Sequence, residues 1–274
     1  MLRQLPTRIS LLLVLAVPAL AGAQMARVDE YHVEYQIGGE GDLTVVLEAG
    51  GASTMHDWDP VFDAFSRHAR VLRYSRVGNG RSTVVQGHFA VEDYADHLEH
   101  LLRAVGIDGR FVYVAHSYGA NVARTFAARH PDRVQALLLI EPASEHDVDI
   151  MRAIDLERAN EEIARVKLED IGNGKAPHIT DFWAKFPLPD HPDIPDVPVT
   201  VIASVKRYDQ PANLFFSDEG RASWGRLWTE WVEAFPRGRI VLTSGSYHFP
   251  HHDEVDMVTR EYRSLLERAV AAER

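Results

Sequence analysis

Ser117 has the strongest setting for chemistry in the chain. An apolar run from Phe111 to Ala115 leads directly into His116-Ser117-Tyr118-Gly119, and a helical stretch from Ala120 to Arg129 follows. A serine at the apex of a sharp strand-to-helix turn is held outward, and the amide after it lies at a helix start, where it can stabilise an anion. Ala115 and Gly119, two residues to either side, are small enough to allow close approach. A hydroxyl is a weak nucleophile at neutral pH, so this serine needs an imidazole to take its proton and a carboxylate to fix the useful tautomer. Late in the chain, His248, His251 and His252 stand close together as candidate bases. His116 adjoins the serine, but successive residues of a tight turn point apart, so it is expected to pack. With Asp253, His251 and His252 also raise the question of a metal. The run lacks the helical i, i+4 frame of a zinc motif, and no metal is expected.

Short apolar runs alternate with amphipathic stretches, as strands and crossover helices of a mostly parallel sheet do. Strands are expected at Tyr31 to Ile37, Leu43 to Leu47, Val71 to Tyr74, Phe111 to Ala115, Leu137 to Ile140, Val199 to Ala203 and Ile240 to Leu242. Tyr94, Leu98, Leu101, Leu102 and Val105 recur at helical spacing, as do Val255, Val258, Tyr262, Leu265 and Leu266, and these stripes read as core. Residues 142–198 break the rhythm, being far longer than a crossover requires. Their first half is charged and helical, and Phe182, Trp183 and Phe186 precede a Pro-rich exit. This segment reads as a helical cap over a pocket, inserted after the sixth strand into a core formed by 24–141 and 199–274. Phe182, Trp183 and Trp224 are the expected pocket residues.

The 274 residues include 29 Lys+Arg against 40 Asp+Glu, a formal charge of −11, and no Cys. Such a surface repels nucleic acid and anionic membranes, and the lack of thiol leaves oxygen or nitrogen as nucleophile. Arg3 and Arg8 precede an apolar run from Leu11 to about Leu20, and Ala21-Gly22-Ala23 supplies small residues before Gln24. Residues 1–23 therefore read as a cleavable signal peptide, which implies a secreted or periplasmic protein with no stable membrane anchor after cleavage.

The elbow resembles that of the α/β-hydrolase superfamily, usually Gly-x-Ser-x-Gly, with Ala115 in place of the first Gly. Leu47-Glu48-Ala49-Gly50-Gly51 lies where that family carries its His-Gly oxyanion loop, with Ala49 in place of the His and Trp58 following. Ser75-Arg76-Val77-Gly78-Asn79-Gly80-Arg81-Ser82 resembles the family's Asp-Arg-x-Gly-x-Gly-x-Ser turn, with Ser75 in place of Asp. Ser244-Gly245-Ser246-Tyr247-His248-Phe249 resembles the Gly-x-x-His loop that supplies the catalytic imidazole, which singles out His248.

The resemblance implies a mostly parallel twisted sheet flanked by helices and a Ser117–His248–acid triad working through an acyl-enzyme, with the oxyanion on the amides of Gly51 and Tyr118. Superfamily members most often carry the acid after the strand that follows the cap, which here offers Asp209. A subset carries it at the end of the preceding strand, which offers Glu141, and Glu141 is the favoured candidate. No cofactor is implied. The expected partner is a small to medium ester or lactone. A noncatalytic binding protein on the same fold, and a lyase or carbon–carbon bond hydrolase using the same triad, are the alternatives.

Overall fold

The computed structural model describes residues 22–85, 89–172 and 194–274. Eight strands form one sheet: β1 (Gln24–Val28), β2 (Tyr31–Gly38), β3 (Thr44–Glu48), β4 (Arg70–Tyr74), β5 (Phe111–His116), β6 (Val134–Ile140), β7 (Val199–Ser204) and β8 (Gly238–Thr243). Their order is β1-β2-β4-β3-β5-β6-β7-β8. β1 pairs antiparallel with β2, and β2 antiparallel with β4, whereas every pairing from β4 to β8 is parallel. The expected α/β class, a mostly parallel sheet flanked by helices, is the observed one.

The sequence reading missed β1. Only its Ala26 and Val28 are buried, as befits an edge strand whose other side chains meet solvent. A five-residue edge strand with two apolar anchors gives too weak an alternation to stand out beside the apolar leader.

β5, β6 and β7 are buried along their whole length, because helices cover both faces of the parallel region. Side chains of β5 alternate accordingly. Phe111, Tyr113 and Ala115 join the core shared with α2 (Val91–Ala104), α3 (Gly119–Arg129) and α6 (Asp218–Glu233), while Val112 and Val114 join the core shared with α1 (Asp59–Ser66) and α8 (Val255–Ala272). Phe65 of α1 stacks on Tyr262 of α8 at 3.8 Å between ring centroids and ties the second layer together. The expected stripes are thus core, as Leu98, Leu101, Leu102, Val258, Tyr262 and Leu265 are all buried.

Between β6 and β7 the chain forms α4 (Asp147–Ile154) and α5 (Leu156–Gly172). Phe182, Trp183 and Phe186 lie outside the described residues, as do residues 1–21 of the expected signal segment. Among the described residues, no helix is long and apolar enough to cross a membrane.

In a parallel sheet the strand ends share one edge, and the loops leaving it converge. Glu48 ends β3, Ser75 follows β4, Ser117 follows β5, Glu141 follows β6, Ser204 ends β7, and the loop 244–249 follows β8. All the residues expected to do chemistry are delivered to this edge.

Candidate active site

Ser117 occupies the left-handed region with φ 51°. A non-glycine residue there costs on the order of 1–3 kcal/mol, and the surroundings enforce it. The Ser117 amide donates to the Ile140 carbonyl at 3.2 Å, and the Ser117 carbonyl accepts from the amides of Ala120 and Ala143 at 2.9 Å each. The elbow is therefore bolted to both α3 and the loop after β6. Gly119 is required by close approach, since a Cβ there would lie 2.5 Å from the Ala49 carbonyl oxygen. Ala115, where the family usually has Gly, is fully buried within β5 and fits without a backbone role of that kind.

His248 meets the serine. Its Nε2 lies 3.1 Å from Ser117 Oγ, across 131 residues of chain. Burial, reinforced by His116 and Arg221, lowers the His248 pKa to about 3. The imidazole is thus neutral at ordinary pH and free to accept the hydroxyl proton. Its loop is fixed from two sides, by His116 Nε2 bonding to the His248 carbonyl at 2.8 Å and by Ser204 Oγ donating to the Ser246 carbonyl at 2.7 Å. His116 packs structurally, as expected, yet it also supports the base.

The loop after β3 carries the expected oxyanion donor Gly51. Arg76 holds this loop from below, its guanidinium donating to the carbonyls of Ala49, at 2.6 Å, and Gly50 and to the Glu48 carboxylate. Gly50 packs against the elbow so closely that a Cβ on it would come within 3.3 Å of Ser117 Cβ. Ser75, standing where the family has Asp, accepts from the Met55 amide at 3.1 Å and donates to Glu34 at 3.1 Å, which anchors the far side of the same loop. Tyr118 provides the first residue after the nucleophile and caps α3.

Neither candidate acid reaches the base. Glu141 is buried at the tip of β6, but one carboxylate oxygen accepts from Arg221 Nη2 at 2.6 Å and the other from the Ser204 amide at 2.6 Å. No hydrogen bond joins it to His248 among the described residues. In place of the expected direct carboxylate–imidazole contact, the two oxygens are held by Arg221 and Ser204. Burial still pushes the Glu141 carboxyl above its ordinary value, against the opposing pull of Arg221 and the amide. The link to the base is indirect and runs through Ser204, whose hydroxyl holds the His248 loop. Asp209 is exposed on the loop after β7 and has no hydrogen bond or ion pair among the described residues. Arg221 went unnoticed in the sequence, although a cation in line with Trp224 and Trp228 on one helical face was a legible signal.

Trp224, expected along the pocket, is only 2% exposed. It stands edge-on to both Phe215 and Trp228 and belongs to the core beneath the site. The neighbouring histidines also differ from expectation. Asp253 accepts from Ser246 Oγ at 2.7 Å and turns away from His251 and His252, which face Asp57 instead.

Residues 44–194, more than half of the chain, match the family described as the alpha/beta hydrolase fold, and the chain belongs to that family. It is 36% identical over 98 residues to a Yersinia enterocolitica protein assigned by inference as the carbamate hydrolase RutD, covering 35% of each chain. It is 32% identical over 108 residues to the 2-hydroxy-6-oxo-2,4-heptadienoate hydrolase of Pseudomonas putida, covering 39% of each. The chain spans about a third to a half of the length of the curated relatives it matches. Among solved structures, the enol-lactonase from Burkholderia xenovorans LB400 superposes with a TM-score of 0.61 at 23% identity, over 89% of this chain and 100% of that one. A thermophilic esterase from Thermogutta terrifontis gives 0.62 at 20% identity, over 91% and 99%. These structures share the fold.

Proposed function

We propose that this protein is a serine hydrolase that cleaves a small to medium ester or lactone through an acyl-enzyme. The observation that carries the reading is the 3.1 Å separation of His248 Nε2 from Ser117 Oγ at a backbone-strained elbow. Ser117 Oγ attacks the substrate carbonyl as His248 Nε2 takes its proton. The tetrahedral oxyanion rests on the amides of Gly51 and Tyr118, and the protonated imidazole then gives its proton to the leaving oxygen. Water, deprotonated by the same imidazole, releases the acyl group and restores the serine.

Glu141 serves in this reading as the buried carboxylate that supports the base's loop through Ser204. Its charge is balanced by Arg221, and Asp209 plays no part. The chemistry calls on no cofactor. The helices after β6 support a cap role for residues 142–198, and residues 1–23 would direct export from the cytoplasm. The likeness to an enol-lactonase and an esterase supports acyl-oxygen cleavage, while the Pseudomonas putida relative keeps carbon–carbon bond hydrolysis as the second reading.

A serine-directed phosphonate tests the proposal. Rapid stoichiometric labelling at Ser117, abolished in Ser117→Ala and slowed by at least about 10⁴-fold in His248→Ala, is expected from the loss of a triad member. Ligand binding without labelling would instead identify a binding protein. Profiling esters of graded chain length, lactones and vinylogous diketones then separates ester from carbon–carbon cleavage.

A further inference from the structure

On the far side of the His248 loop lies a second cluster that the hydrolytic reading does not use. Asp57, from the 3-10 turn Met55–Trp58, faces His116 at the end of β5 and His251 and His252 of α7 (Pro250–Asp253). Asp57 Oδ2 lies 3.4 Å from His116 Nδ1 and 3.5 Å from His251 Nε2, and Asp57 Oδ1 lies 3.2 Å from His252 Nε2. The ligating atoms of Asp57, His251 and His252 all lie within 4.8 Å of one another.

Three of these atoms are orphans. Asp57 Oδ2, His116 Nδ1 and His251 Nε2 are shielded from solvent and, beyond their long contacts to one another, have no hydrogen-bond partner among the described residues, and His251 is fully buried. Buried polar atoms without partners are costly, and native folds avoid them unless something else satisfies them. The His116 tautomer sharpens the point. Its Nε2 donates to the His248 carbonyl at 2.8 Å, so in the neutral ring Nδ1 carries a lone pair. That lone pair faces a carboxylate oxygen, a repulsion that either a second proton on the ring or a cation between the two would relieve.

We propose that Asp57, His116 and His251, closed on the solvent side by His252, bind one divalent cation of the zinc class. Zinc bonds of about 2.0–2.2 Å to nitrogen and oxygen set ligand atoms roughly 3.3–3.5 Å apart around a tetrahedron, close to the 3.4 and 3.5 Å from Asp57 Oδ2 to His116 and His251 and the 3.2 Å from Asp57 Oδ1 to His252. Three imidazoles and one carboxylate suit Zn²⁺ or Co²⁺ and disfavour Ca²⁺ and Mg²⁺, which prefer all-oxygen shells. His116 also has the outer hydrogen bond to a carbonyl that orients metal-binding imidazoles. His252, the most exposed of the four at 36% of its side chain, provides the way in. Its Nε2 donates to the Asp57 carbonyl at 2.7 Å and would exchange that bond for the ion. The sequence points away from this site because Asp253 is the neighbouring acid in the chain, whereas the acid that meets the histidines is Asp57.

The consequence for the active site is mechanical. The ion would grip His116, and His116 holds the backbone of His248, so occupancy would brace the base without touching the reacting atoms.

The test uses the full chain, freed of metal with a chelator and titrated with Zn²⁺ by calorimetry, with elemental analysis of the dialysed complex. The expected result is one equivalent bound, a rise in melting temperature on loading, and a visible ligand-field band when Co²⁺ replaces Zn²⁺. His251→Gln and Asp57→Asn should each weaken binding by at least about 10-fold, while the exposed control His32→Ala and the nucleophile variant Ser117→Ala should bind as the parent does. His252→Ala, at the surface, carries the same expectation if the buried variants do not fold. The proposal fails if the parent binds no stoichiometric ion, or if His252→Ala and whichever buried variants fold bind as tightly as the parent.

Discussion

Glu48 ends β3 and Glu141 follows β6, so two buried carboxylates stand on the strands either side of the one that carries Ser117. Each is paired with a buried arginine, Arg76 and Arg221 respectively. Around Glu48 the pairing is dense. Tyr74 and Tyr113 donate their hydroxyls to it, the latter at 2.7 Å, and Arg76 donates through Nη1 and Nη2 to the carbonyls of Ala49 and Gly50, its Nε alone having no partner among the described residues. Burial and the adjacent Glu48 push both phenols well above their ordinary pKa, so they remain donors. Around Glu141 the pairing is sparse. Arg221 gives one nitrogen to Glu141 and the Ser204 carbonyl, while its Nε and Nη1 find no hydrogen-bond partner among the described residues. The denser network makes a rigid floor for the loop that carries Gly51. The sparser one on the His248 side leaves a charge pair whose bonds can be rearranged.

Breaking the dense side should cost most. Arg76→Met is expected to lower turnover by about 10²–10³-fold, the worth of an oxyanion donor, because the carbonyls that hold Gly51 in place lose their anchor. The buried Glu48 left without its cation should also reduce stability by about 3–5 kcal/mol in denaturant unfolding. Full turnover in a folded Arg76→Met protein would remove the floor from the comparison. On the sparse side, Glu141→Gln should destabilise the fold for the same reason, yet its loss of turnover should stay below about 10²-fold. A triad acid in direct contact with its imidazole is worth about 10⁴, so a loss of that size would mean that Glu141 leaves Arg221 for His248 during the reaction. Asp209→Asn should change turnover by no more than about 2-fold, as for a surface substitution without a partner. A large loss there would move the acid to the loop after β7.

The same contrast explains what could be read in advance. Ser117 was legible because a strand, a turn and a helix are local patterns, and His248 because its loop sits between the last strand and the last helix. β5 to β7 announced themselves as short, mostly apolar runs bounded by turn residues, as a doubly covered sheet demands. β1 did not, since two buried side chains on an edge strand leave almost no pattern. Glu141 was placed correctly at the tip of β6, but its partner was not, because Arg221 comes from a helix 80 residues away. Asp57 carried no signal at all, being one acid among 40 acidic residues in a polar turn.

Local order in the sequence determined which residue types stand at the strand ends: a serine at the elbow, an imidazole after the last strand, a carboxylate after β6. That information is written in periodicity and in the sequence of turns, both of which act over a few residues. Only the tertiary structure decided who meets whom. Ser117 reaches His248, Glu141 is taken by Arg221 and Ser204, and Asp57 draws in three histidines, because bonding depends on separations of a few tenths of an ångström between loops that converge on one edge of the sheet.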